Sequence, residues 1–137
     1  MKNKLILASK SKVRKDILKS QNIEFIVEPS YVDEDVIKNS LIKEGATPEI
    51  ISQNLAEIKA QKISQKNPEQ LVLGADSVID LENEIISKPE SRNEALQILK
   101  NLNGKKHYLI SSVCIAKNGS MISVSYTHLT LPTILLV

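Results

Sequence analysis

The chain has no tryptophan, one phenylalanine, one cysteine and four glycines among its 137 residues, and each scarcity excludes something. So few aromatics argue against a base-stacking platform for single-stranded nucleic acid. Eighteen Lys+Arg against sixteen Asp+Glu leave a formal charge of +2, too little for binding driven by a phosphate backbone. Cys114 stands alone and cannot form an internal disulfide. The amino terminus offers only Leu5 to Ala8 as an apolar run, whereas a membrane span needs about 20 residues and a signal peptide a longer core than this. We therefore expect a small cytosolic domain that engages neither nucleic acid nor membrane. Its 42% apolar content is enough for a real core.

Charge is also missing locally. All thirty-four charged residues lie in positions 1–117, and the last twenty residues carry none. One reading of Ser125 to Val137 is a buried terminal strand, which tolerates a continuous apolar run. Against it, Pro132 interrupts the run, and an unguarded β-prone end is an aggregation hazard. The stretch also resembles the out-of-frame translation of a cloning or sequencing adapter. We expect residues 1–124 to form the domain and 125–137 to be a non-native tail, poorly ordered or loosely laid on the surface from Thr127.

Strands alternating with helices predict a mixed α/β sheet with flanking helices. Leu5 to Ala8 reads as a strand, followed by a helix that Ser9 or Ser11 caps and that buries Val13, Ile17 and Leu18. Glu24 to Val27 is a second strand, and Asp33-Glu34-Asp35 reads as a charged loop. Thr47-Pro48-Glu49 starts a helix with its stripe at Ile51, Leu55 and Ile58, ending near Ser64. Leu71 to Leu73 is a strand stopping at Gly74-Ala75-Asp76. Val78-Ile79 and Ile85-Ile86 suggest a hairpin. Ser91 and Glu94 form a capping box for a helix with Ala95, Ile98, Leu99 and Leu102 on its apolar face, stopped by Gly104. Tyr108 to Ala116 is the longest strand, turning back at Asn118-Gly119.

No metal quartet of Cys and His, no P-loop and no G-x-G-x-x-G is present. Polar residues at strand ends remain, where α/β proteins place ligands. Ser9 to Arg14 could receive a phosphate at a helix amino terminus, or merely cap it. Asp76, followed by Ser77, could bind a divalent cation or orient a water, or simply stop a strand. Asp76 and Asp80 are four apart, which fails the D-x-D-x-T pattern of haloacid-dehalogenase phosphatases. Lys59 and Lys88 could neutralise a polyphosphate or lie solvated on the surface. Glu34 could complete an acidic pair with Asp76.

In order, L-I-L-A-S-x-S-x-x-R (Leu5 to Arg14), V-D-E (Val32 to Glu34), L-A-x-x-K-A (Leu55 to Ala60), L-G-A-D-S (Leu73 to Ser77), K-P (Lys88, Pro89) and L-N-G-K-x-H (Leu102 to His107) resemble the Maf family. The resemblance runs from about residue 4 to about residue 124. It implies an elongated mixed α/β fold around a cleft, similar to inosine triphosphate pyrophosphatases. It also implies hydrolysis of nucleoside triphosphates to monophosphate and pyrophosphate with Mg or Mn, serving nucleotide-pool sanitation. By motif position, Asp76 would activate the water, Ser9, Arg14, Lys59, Lys88 and Ser77 would hold substrate, and Asp76 with Glu34 would hold the metal. A homodimer is compatible with the resemblance. Alternatives are a non-catalytic nucleotide-binding regulator of septum formation and an inactive fragment of the enzyme. Val13 stands where many members carry a second arginine, and Ser77 where pyrimidine-directed members carry threonine, so the base preference is open. Family members run roughly one-third longer, so the carboxy-terminal part is expected to be missing.

Overall fold

A computed structural model describes residues 4–131. The elements follow the chain as β1 (Leu5–Leu7), α1 (Lys12–Ser20), β2 (Phe25–Val27), α2 (Glu34–Lys43), α3 (Pro48–Ser64), β3 (Val72–Leu81), β4 (Glu84–Ile86), α4 (Arg92–Leu102), β5 (His107–Lys117) and β6 (Ser120–Leu131). One mixed sheet runs β2-β1-β3-β5-β6, with β4 paired to β3. The β2·β1·β3 pairings are parallel, and the β3·β4, β3·β5 and β5·β6 pairings antiparallel.

Alternation along β3 and β5 decides what lies on each face, because successive side chains point to opposite sides. Val72, Val78, Ile110, Cys114 and Ala116 are buried beneath α3, which contributes Ile51, Leu55, Ala56, Ala60 and Ile63. Thr47 caps α3 by accepting from Ile50 N, and Pro48 occupies its first turn as expected. Gly74 lies on this face for a steric reason. A Cβ there would fall 2.5 Å from the Ala56 carbonyl oxygen and 2.8 Å from Ala60 Cβ. The strand and helix backbones therefore meet at a distance only glycine allows.

The opposite face is covered less completely. Leu18 of α1 is buried, but Val13 and Ile17 are 67% and 55% exposed, contrary to the expected buried stripe. They rim an open apolar pocket with Leu7, Leu73, Ala75, Leu109 and Val113. On α4, Leu102 is buried while Leu99 remains exposed, so that helix packs by its carboxy-terminal end.

Four further expectations are corrected. The acidic stretch initiates a helix, because the Asp33 carboxylate accepts from Val36 N and caps α2. β3 does not stop at Asp76 but continues to Leu81, since β5 pairs with it from Val72 through Asp80. β6, at 12 residues, is one longer than β5. Asn118 and Gly119 both have positive φ, as a tight hairpin requires. Thr127 to Leu131, expected to lie loosely, continue β6 as a ladder on β5. That ladder is one-sided, and Tyr126 and Leu129 are half exposed. Residues 132–137, the rest of the expected tail, lie outside the described residues.

Candidate functional site

The site originates in a gap in the sheet. On one edge of β3, β1 pairs only with Val72 and Leu73, and β4 only with Ile79 to Leu81. Among the described residues no strand occupies that edge between them. The window at residues 74–78 is the place where β1 has ended and the chain turns into α1. α/β sheets bind ligands at such points because backbone groups and side chains are exposed there on a rigid frame.

Asp76 occupies the middle of the window, only 5% exposed, on the α3 face. Its Oδ1 accepts from Lys59 Nζ at 3.0 Å, and its Oδ2 is buried with no hydrogen-bond partner. Lys59, one helical position before the glycine contact at Ala60, also meets Glu34 Oε1 at 2.5 Å. One ammonium thus ties β3 to the first turn of α2. Beneath Asp76, the buried Ser52 hydroxyl donates to the Asp76 carbonyl at 3.2 Å and lies 2.8 Å from Ser112 Oγ. The strand is thereby pinned to α3 from below.

Burial raises the Asp76 pKa, and Lys59 opposes that only in part. Glu34 moves the other way. Burial would raise it, but the hydrogen bond and charge of Lys59, with Lys38 and Lys88, hold it below the usual carboxylate range. Arg14 is lowered by burial against the pull of Asp76 and Glu34, although a guanidinium stays charged in any protein.

Beside Glu34 and Lys59 opens a cleft of about 660 Å³ lined by Ser9, Ser11, Arg14, Glu34, Lys59 and Lys88, with Lys10 and Tyr31 on its wall. Asp76 lies behind Lys59, outside this lining. Ser11 caps α1 by accepting from Arg14 N, and Ser9 Oγ accepts from Arg14 Nη1 at 2.9 Å. Arg14, Lys59 and Lys88 converge here from three separate segments. Ser77 does not join them. It faces the other side of β3, 2.9 Å from Ser111 Oγ, in the apolar pocket, which meets the cleft at Ser11, Arg14 and Lys88.

The donors present suit a hard divalent cation, which prefers carboxylate oxygens. Asp76 Oδ2 is an orphaned buried oxygen, and Glu34 reaches the same ammonium as Asp76. These two residues fit the metal-binding role. A second donor group was not anticipated: Glu49, Asp80 and His128 bring ligand atoms within 4.8 Å of one another at the amino end of α3. Asp80 is buried and its Oδ1 has no partner. The alternation of β3 could have placed Asp80 on the Asp76 face, but the pairing of β6 with β5 was needed to bring His128 there.

The Maf-like protein family profile matches residues 4–134. The chain is 68% identical over 122 residues to a nucleoside triphosphate pyrophosphatase of Pelagibacter ubique (strain HTCC1062), covering 89% of this chain and 63% of that protein. It is 41% identical over 130 residues to a 7-methyl-GTP pyrophosphatase of Brucella abortus biovar 1 (strain 9-941), covering 93% and 65%. The chain thus spans less than two thirds of the length of these curated relatives. Its fold is similar to a HAM1 protein from Coxiella burnetii, with a TM-score of 0.62 at 14% identity over 94% of this chain and 72% of that one.

Proposed function

The chain belongs to the Maf-like protein family, and from that premise we propose that it serves as a nucleoside triphosphate pyrophosphatase. Water adds to the α-phosphorus of an NTP or dNTP, the bond to the β-phosphate oxygen breaks, and monophosphate and pyrophosphate are released. The role that suits it is clearance of unwanted nucleotides from the cytoplasmic pool. The observation that carries this reading is the convergence of Arg14, Lys59 and Lys88 with Glu34 in one cleft, backed by the buried Asp76 carboxylate, which has one unpartnered oxygen and is tied to that lining through Lys59.

Phosphoryl-type transfer depends mostly on positioning and on charge neutralisation. Arg14 offers a planar fork for phosphate oxygens, and Ser9 orients that fork. Lys88 adds a point charge at the junction of cleft and apolar pocket, where an α-phosphate would sit if the base enters the pocket. On that placement Ser77 and Ser111 offer hydroxyls to the base edge. Asp76 Oδ2 accepts the proton of the attacking water, and its raised pKa improves it as a base near neutral pH. Lys59 holds Asp76 and Glu34 in place. A Mg or Mn ion on Asp76 and Glu34 would supply Lewis-acid polarisation of the phosphoryl oxygens and a more acidic water.

Pyrophosphate release from a panel of triphosphates that includes 7-methyl-GTP, with Mg²⁺ or Mn²⁺, tests the proposal. Asp76→Asn should lower turnover by about 10²–10⁴-fold in a protein that remains folded. Nucleotide binding without turnover in the parent chain would instead favour a non-catalytic nucleotide-binding role.

A further inference from the structure

One cation in the cleft has no part in the scheme above. Lys10 lines the cleft between Ser9 and Ser11, and its Nζ lies 4.3 Å from the centroid of the Tyr31 ring. Lys59 is engaged by two carboxylates and Arg14 by Ser9, but among the described residues Lys10 makes no ion pair. Among the described residues Tyr31 is the only aromatic one lining the cleft, and it is 68% exposed. Its carbonyl accepts from Lys62 Nζ of α3, so the ring is presented from a tethered backbone.

The position of the pair gives it a direction. The apolar pocket shares Ser11, Arg14 and Lys88 with the cleft but touches neither Lys10 nor Tyr31. A nucleotide is apolar and aromatic at one end and anionic at the other. With its base toward the pocket, its tail points to the part of the cleft where Lys10 waits. An ammonium on an exposed ring is held weakly, whereas a polyphosphate offers it several full charges.

We propose that Lys10 is a parked cation, held on the Tyr31 ring in the empty cleft and released to the terminal phosphates, so that the pair forms a subsite for the leaving pyrophosphate. This rests on the hydrolase reading for its physiological ligand, but its test does not. Inorganic pyrophosphate is titrated calorimetrically into the full chain and its variants, with a nucleoside monophosphate as comparison. Lys10→Gln should weaken pyrophosphate binding about tenfold, the loss of one charge-assisted contact, and Lys10→Arg should restore most of it. Tyr31→Leu should act with the opposite sign. It frees Lys10 from the ring and should tighten pyrophosphate binding about two- to five-fold. In the Lys10→Gln background, Tyr31→Leu should have no effect, and monophosphate binding should be unchanged throughout.

Weaker pyrophosphate binding in Tyr31→Leu, or equal losses for pyrophosphate and monophosphate in Lys10→Gln, overturns the subsite. The two readings fail separately. A chain that binds pyrophosphate with this pattern yet cleaves no triphosphate keeps the subsite and loses the hydrolase. An active chain whose Lys10→Gln variant binds pyrophosphate normally does the reverse.

Discussion

Replacing Gly74 by alanine should disturb both stability and chemistry, and the structure supplies the size of each effect. The new Cβ would lie 2.5 Å from the Ala56 carbonyl oxygen and 2.8 Å from both Ala60 N and Cβ. These are backbone atoms or a rigid methyl in mid-helix, so no rotamer can relieve them. α3 must recede from β3 by roughly 1 Å, and a gap of that size forfeits about a quarter to a half of the dispersion well for each facing atom pair. The pairs at risk join Ile51, Leu55, Ala56, Ala60 and Ile63 to the buried face of the sheet. Overpacking typically costs about 1–3 kcal/mol, and two immobile backbones place this change at about 3. For a chain of this size that corresponds to a fall in Tm of about 10 °C. The same recession separates Lys59, next to Ala60, from Asp76, two residues beyond the glycine. A displacement of about 1 Å among reacting groups can cost about 10²-fold in rate. Thermal melts and urea titrations give the first quantity, and pyrophosphate release well below the melting range gives the second. A Gly74→Ala protein with unchanged Tm and unchanged turnover would refute the close-packing argument and the coupling of helix to site.

The remaining predictions concern charge, a buried hydroxyl and the last strand. Because the Asp76 pKa is raised, the folded state prefers the neutral carboxyl. Its stabilising contribution is present below the unfolded value, about 3.9, and is lost as pH rises through the folded one. Asp76→Asn should therefore raise the melting temperature at neutral pH while lowering turnover by about 10²–10⁴-fold, with the gain in stability shrinking toward pH 4. Lys59→Met removes the main force lowering the Asp76 pKa, so the acidic limb of the rate profile should move to higher pH. An unmoved limb would mean that another group controls it. Ser52→Ala strips the partner from the buried Ser112 hydroxyl and should cost about 1–3 kcal/mol by denaturant titration. We also propose that residues 125–137 lie outside the functional domain. Deleting 127–137 should then leave Tm within about 4 °C of the parent, a loss of no more than about 1 kcal/mol. Unfolding of the shortened chain would show that the end of β6 belongs to the core.

Much of this architecture is legible residue by residue. Thr47-Pro48, Ser91 and Asn118-Gly119 each announce a local conformation through a hydrogen bond or a φ preference, and each forms where expected. The Glu94 carboxylate, however, accepts from Glu90 N and not from Ser91 N, so the capping box is half made. What sequence position alone conceals is the neighbour across space. Gly74 looks like the end of a strand, yet it is a point of contact with a helix fourteen residues upstream. Asp76 reads in the sequence as an exposed strand end, yet it is buried in mid-strand beside a gap that exists because β1 is short while β3 itself runs on. The α2 helix has Asp33 as a cap and apolar positions at Ile37 and Leu41. The density of charge around its start hides it. Ser77 follows Asp76 in sequence and for that very reason faces away from it.

The window on β3 has a practical corollary. Residues 74–78 pair with β5 on one side, while their other edge faces the site between β1 and β4. Amides in the middle of a sheet normally exchange with solvent only when the sheet opens, whereas those on an uncovered edge exchange through small local fluctuations. This stretch therefore joins a rigid frame to locally accessible hydrogens around the Asp76 carboxylate. Deuterium uptake in a peptide spanning the window should slow when the cleft fills, whichever ligand fills it and whether or not any bond is broken. The fold thus carries an intrinsic occupancy gauge, able to rank candidate ligands in a protein that has no tryptophan to report on them.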